Sequence, residues 1–161
     1  ILVQVMKEPL GTKGARLSAD LSVPSRYLVL MPHNDKVAVS VRIEHEEERA
    51  RLVEAVSRIK QDEDIGGGFI VRTAGEGVSE AALAADMRFL EKLWAAIQKK
   101  IITTQAPSLV HGDLPLVTRM LRDMLCPTVD RIRIDNRDAH AQMRDEKLCG
   151  LRIFGQCGHK S

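Results

Sequence analysis

Residues Gly66-Gly67-Gly68-Phe69-Ile70-Val71-Arg72-Thr73-Ala74-Gly75-Glu76-Gly77 end a short apolar strand in a guanidinium beside a hydroxyl, then enter a glycine-rich turn. Arg72 offers a planar fork of N–H donors suited to a phosphate. Thr73 adds a hydroxyl and a backbone N–H at the same point. Gly75 and Gly77 let the backbone bend close to whatever is held there. Together these residues can form a pocket for a small anion such as a terminal phosphate. They also fit a plain strand and turn with Arg72 paired to an acid, and a polar motif this short leans to that simpler reading. Lys13, in the loop Gly11-Thr12-Lys13-Gly14, is a second candidate phosphate contact. A lysine at a turn is more often a solvated charge. Glu46-Glu47-Glu48 is spaced like a solvated helix start, where carboxylates complement the positive end of the dipole, and not like a metal site. Cys149, Cys157 and His159 do not match zinc spacings.

The elements that must position these residues read as a mixture of strands and helices. Ile1–Met6 is an apolar, β-branched strand, and Ala15–Leu21 alternates so that Ala15, Leu17, Ala19 and Leu21 share one face. The two predict a half-buried β-hairpin. Tyr27–Met31 is a strand, Pro32–Asp35 a turn, and Val37–Ile43 a returning strand. A helix opens at Glu46 with Leu52, Val56 and Ile59 as its buried stripe. Ser79 can cap a second helix running to about Lys100, with Leu83, Met87, Leu90, Trp94 and Ile97 as a packing seam. Gln105-Ala106-Pro107 reads as a linker. Beyond it come a short strand (Ser108–His111), a helix capped by Asp113 with Pro115 in its first turn, and a strand over Val129–Asp135. The helix has Val117, Leu121 and Met124 as its apolar face, and a further helix starts at Asp138. The order strand, helix, strand suggests a βαβ piece.

The bulk properties bound the function classes. A length of 161 residues fits one compact domain or two small ones. With 44% hydrophobic and 29% charged residues, the chain is globular and not wholly disordered. A net charge of only +2 implies no large basic surface, so contact with a nucleic acid would be local. No apolar run is long enough to span a bilayer, and no signal peptide opens the chain. The three cysteines make no disulfide framework, and a reducing, cytoplasmic setting is the default. The chain opens at Ile1 inside a strand pattern and changes composition before Ser161, so it reads as a fragment.

Taken in order, five blocks resemble the ribonuclease E/G family of bacterial endoribonucleases, and the first looks more like the ribonuclease G branch. They are Lys7-Glu8-Pro9-Leu10-Gly11-Thr12-Lys13-Gly14-Ala15-Arg16-Leu17, Tyr27-Leu28-Val29-Leu30-Met31-Pro32, Ser40-Val41-Arg42-Ile43-Glu44, Ile70-Val71-Arg72-Thr73-Ala74-Gly75 and Arg131-Ile132-Arg133-Ile134-Asp135. The resemblance implies an α/β (α+β) fold in three parts. Residues 1–20 would be the closing hairpin of an S1 RNA-binding barrel of the OB type. Residues 21–106 would be the domain that senses the RNA 5′ end, and residues 107–143 the start of an RNase H-like domain. Residues 144–161 fall outside the family pattern and suggest a disordered tail or a shifted reading frame.

Carried over from the family, Arg72 and Thr73 hold the 5′ monophosphate of the substrate, with Val29 and Ser25 lining the pocket and Lys13 contacting RNA. At Val41 the ribonuclease E branch has an arginine, so an RNA contact from that position is lost. The family cuts single-stranded RNA, in rRNA processing and mRNA decay, with magnesium held by aspartates of a domain that this chain does not reach. Asp130 and Asp135 are not assigned to a metal, and the zinc-binding cysteine pair that links subunits also falls outside the chain. The expectation is therefore a piece of a cytoplasmic endoribonuclease, homo-oligomeric at full length, that binds 5′-monophosphorylated single-stranded RNA and does not cut it alone. A non-catalytic RNA-binding protein on the same scaffold is the alternative.

Overall fold

The structure is a computed structural model that describes residues 1–112, 114–124 and 136. The chain divides into two units, residues 1–111 and 112–161.

The first unit begins with a ribbon of two antiparallel strands, β1 (Gln4–Lys7) and β2 (Arg16–Ser18), in the register Gln4↔Ser18, Val5↔Leu17 and Lys7↔Arg16. Leu10 and Lys13 close its loop by exchanging backbone bonds of 3.1 Å, and Gly11 supplies the φ of +58° that the turn requires. The ribbon is not half-buried as the alternation suggests: Val5 is 57% and Leu17 53% exposed. An alternating face is buried only when another layer lies against it, and among the described residues these strands pair only with each other. Gln4 ties the ribbon to the segment that leads into the main sheet, donating from Nε2 to the Ser22 carbonyl at 3.0 Å and accepting the Ser22 N–H at Oε1 at 2.8 Å.

That four-stranded sheet is built from β3 (Val23–Pro24), β4 (Leu28–Met31), β5 (Val37–Val39) and β6 (Gly68–Val71) in the order β3-β4-β6-β5. The strand expected to return onto β4 does not do so. It is shorter, and it pairs in parallel with β6, while β6 itself lies antiparallel against β4. The physical reason is the connection. A parallel pair cannot be closed by a hairpin and needs a crossover, which here is α1 (Glu46–Asp62) between β5 and β6. Residues 40–43 therefore turn instead of extending, held by Arg49, whose Nη1 donates to the carbonyls of Ser40 (2.8 Å) and Ile43 (3.0 Å). At the other end of β6, a Cβ on Gly68 would stand 2.6 Å from the Lys36 carbonyl oxygen, so only glycine lets this turn press on the strand.

The core lies between the sheet and the helices. The cross-strand pairs Leu28↔Val71 and Leu30↔Phe69 join Leu52, Val56 and Ile59 of α1 in one buried cluster. Leu83, Met87, Leu90 and Ile97 of α2 (Glu80–Thr103) complete it. Each such side chain contributes about 1.5–3 kcal/mol when fully buried. Ser79 caps α2 as expected, its hydroxyl accepting the Ala82 N–H at 3.4 Å, and the helix runs three residues past Lys100. Trp94 is half-buried and meets the His33 ring edge-on at 6.1 Å, a packing contact. Residues 108–111, expected as a strand, join no ladder among the described residues, and Ser108 and Val110 sit in bends.

In the second unit α3 spans Leu116–Met124, with the Pro115 carbonyl accepting the Arg119 N–H at 2.9 Å. Met124, expected on the apolar face, is 66% exposed. The side chains of Val117 and Leu121 lie outside what is described, as do Asp113, Cys126, the expected strand at Val129–Asp135 with Asp130 and Asp135, the helix start at Asp138, and Cys149, Cys157 and His159.

Candidate functional site

The Arg72 N–H donates to the Tyr27 carbonyl at 2.8 Å, one step beyond the Leu28↔Val71 pair, and there β6 ends. Thr73–Gly75 then form a 3-10 turn, with the Gly75 N–H on the Arg72 carbonyl at 2.9 Å and the Glu76 N–H on the Thr73 carbonyl at 3.1 Å. Gly75 is buried, and a Cβ there would stand 2.7 Å from Cγ1 of Val71, so the turn can fold flat against the strand only with glycine. Arg72 is half-buried and Thr73 beside it is exposed. On the other flank the Ser40 N–H donates to the Val71 carbonyl at 2.8 Å, which places the 40–43 turn next to the same strand end.

The guanidinium of Arg72 does not stand alone at this corner. Its Nη1 donates to the carbonyl oxygens of Ser25 at 2.5 Å and Arg26 at 3.3 Å. That anchoring brings Arg72 against Ser25, nearly fifty residues away in sequence (|i−j| = 47), with Thr73 next in the chain. Val29 lies further along β4, half-buried and opposite Ile70. Ladder bonds alternate in an antiparallel pair, which puts Val29 and Ile70 at a bonded position; at Tyr27 and Arg72 only the Arg72 N–H bonds across, because the Tyr27 N–H donates to Asp86 Oδ2 at 3.0 Å. Ser25 is 1% exposed, and its hydroxyl faces inward, donating to Asp86 Oδ2 at 2.5 Å. Lys13 is exposed at the tip of the β1–β2 ribbon.

Two carboxylates that sequence reasoning did not connect to the site hold its two loops. Asp86, on α2, accepts at Oδ2 from the Ser25 hydroxyl and from the N–H groups of Tyr27 (3.0 Å) and Leu28 (3.1 Å), which fixes the 25–28 turn. The available signal was an acid inside the apolar seam between Ala84 and Met87, since a polar group facing a core needs partners. Glu48, on α1, accepts both forks of Arg51 at 2.7 Å and the Gly77 N–H at 2.8 Å, while Arg51 Nη2 donates to the Val78 carbonyl at 3.2 Å. The Arg51 guanidinium and the Gly77 N–H pull the Glu48 carboxyl down to about 2. Thus Glu48, expected only to complement the helix dipole, also clamps the chain just past the 3-10 turn. Gly77 takes the left-handed φ of +69° that the return toward α2 needs.

One open cavity lies elsewhere. About 630 Å³ opens beside β5 and the C-terminal half of α1, and neither Ser25, Val29, Arg72 nor Thr73 lines it. The Arg72 corner lies at the surface, with Arg72 half-buried and Thr73 exposed. Among the described residues no group of three or more His, Cys, Asp or Glu is placed to hold a metal ion. Among them, too, no helix is long and apolar enough to cross a membrane.

A sequence model described as the Ribonuclease E/G family matches residues 22–148. The chain belongs to this family. It is 47% identical over 137 residues to ribonuclease G of Escherichia coli strain K12, covering 85% of this chain and 27% of that protein. It is 46% identical over 145 residues to ribonuclease G of Haemophilus influenzae, covering 90% of this chain and 29% of that protein. To ribonuclease E of a Nostoc species it is 46% identical over 136 residues, covering 84% of this chain and 19% of that protein. The chain thus spans roughly a fifth to under a third of the length of the curated relatives it matches.

Proposed function

We propose that this chain carries the RNA 5′-end sensor of a ribonuclease G-like endoribonuclease, and that Arg72 and Thr73 bind the 5′ monophosphate of single-stranded RNA. The observation that carries the reading is the bond from Arg72 to the Ser25 carbonyl, which gathers the arginine, the exposed Thr73 and the 25–26 turn at one open corner of the sheet. A 5′ monophosphate presents a terminal dianion with free oxygens. A guanidinium and a hydroxyl on neighbouring residues complement it with charge-assisted bonds. Ser25 and Val29 frame the corner from β3–β4. A 5′ triphosphate is bulkier and more charged, so the corner discriminates in favour of RNA already cut or decapped.

In the same reading, residues 1–20 close an S1-type barrel and Lys13 touches RNA from the ribbon tip, while residues 107–143 begin an RNase H-like part. The hydrolysis belongs to a magnesium site of the full-length cytoplasmic, homo-oligomeric enzyme. This chain alone recognises RNA without cutting it. Removing the arginine deletes charge-assisted bonds of about 1.5–3 kcal/mol, so Arg72→Ala weakens binding of a 5′-monophosphorylated oligonucleotide roughly ten- to hundredfold. Fluorescence anisotropy titration of the two proteins tests this; unchanged affinity overturns the assignment.

A further inference from the structure

The phosphate corner depends on a residue that does not reach it. Arg72 is aimed by two carbonyl oxygens, those of Ser25 and Arg26. The turn that presents these carbonyls is itself shaped from behind by one oxygen, Oδ2 of Asp86. That atom accepts the Ser25 hydroxyl at 2.5 Å, the Tyr27 N–H at 3.0 Å and the Leu28 N–H at 3.1 Å. Three donors on one carboxylate oxygen make a strong and directional anchor. They also join α2 to the residues on either side of Arg26, across a sequence separation of about sixty positions (|i−j| = 61 for Ser25).

We propose that Asp86 is a positioning residue for 5′-phosphate recognition: by holding the 25–28 turn it fixes the carbonyls that orient the Arg72 guanidinium. The inference rests on the phosphate-sensor reading above. Its sign sets it apart from a bystander role. A carboxylate near a bound dianion repels it, so removing the charge of a bystander tightens phosphate binding. Removing a positioning carboxylate loosens it, because the guanidinium loses its aim.

The test compares 5′-monophosphorylated and 5′-hydroxyl versions of one single-stranded oligonucleotide on the 161-residue chain. The readout is the ratio of the two affinities in the wild type, Arg72→Ala, Asp86→Ala, Asp86→Asn and Ser25→Ala. Circular dichroism and thermal melting confirm the fold of each. Asp86→Ala is expected to lower the ratio about fivefold or more, with 5′-hydroxyl affinity unchanged, since several bonds to a charged group are lost together. Asp86→Asn keeps an acceptor oxygen and the volume, so it retains part of the ratio. Ser25→Ala, which removes one donor and keeps both carbonyls, lowers it about two- to threefold.

A wild type with no phosphate preference overturns the sensor reading itself. A wild type with a preference that Arg72→Ala abolishes, and that folded Asp86→Ala and Asp86→Asn keep or increase, overturns the Asp86 role alone. If neither Asp86 variant folds, Ser25→Ala decides: a full ratio refutes the role and a reduced one supports it.

Discussion

Glu48 gives the most quantitative handle on how the 73–77 loop is held. Its carboxylate takes both arms of Arg51 at 2.7 Å and the Gly77 N–H at 2.8 Å. Truncation by Glu48→Ala removes all three bonds. The side chains of Arg51 and Glu48 are 39% and 20% exposed, so water can replace part of what is lost. A well-aligned, bidentate surface pair contributes up to about 1 kcal/mol. The bond from a backbone N–H to the carboxylate adds about 1 kcal/mol. The expected loss is therefore about 2 kcal/mol at neutral pH.

The pH dependence comes from the depressed carboxyl, which falls from 4.5 to about 2. A group with a lowered folded-state value contributes stability that is full above its unfolded value and fades as pH drops through the folded one. Urea unfolding of wild type and Glu48→Ala should therefore differ by about 2 kcal/mol at pH 7, keep most of that difference at pH 5, and converge near pH 2. A difference under about 0.5 kcal/mol at pH 7, or one that does not change down to pH 2, refutes the clamp.

Two further perturbations probe the frame of the site. Gly75→Ala puts a Cβ 2.7 Å from Cγ1 of the fully buried Val71, which cannot swing away. It should cost about 1–3 kcal/mol in urea unfolding and weaken 5′-phosphate binding as well; unaltered stability would show that the turn does not lie flat on the strand. Phe69→Ala removes the largest of the fully buried side chains from β6. It should cost about 3–5 kcal/mol and lower the melting temperature sharply, whereas a small loss would mean that the sheet and helices do not share one core.

Much of this architecture was legible because it is local. The stripe Leu52, Val56, Ile59 marks α1, the seam Leu83, Met87, Leu90, Ile97 marks α2, and Ser79 marks where α2 begins. Each signal lies within one or two turns of its own helix. The strand pairing was not legible in the same way. Val37–Val39 comes after β4 and a short turn, and nothing within it says that β6, about thirty residues later, takes the place beside β4. The exposure of the ribbon was hidden too, because alternation records which face a strand can bury and not whether a layer meets it. At the site, Arg72 and Thr73 stood out as a pair, but Asp86 did not. Its partners are a hydroxyl and two backbone N–H groups, and backbone donors leave no mark in the sequence.

The central claim is that the Arg72–Thr73 corner reads a terminal phosphate. Isothermal titration of the wild-type chain with one oligonucleotide, carrying either a 5′ monophosphate or a 5′ hydroxyl, measures it most directly. The phosphorylated strand should bind about tenfold tighter or more, the range set by one or two charge-assisted bonds. Equal affinity for the two strands would contradict the account.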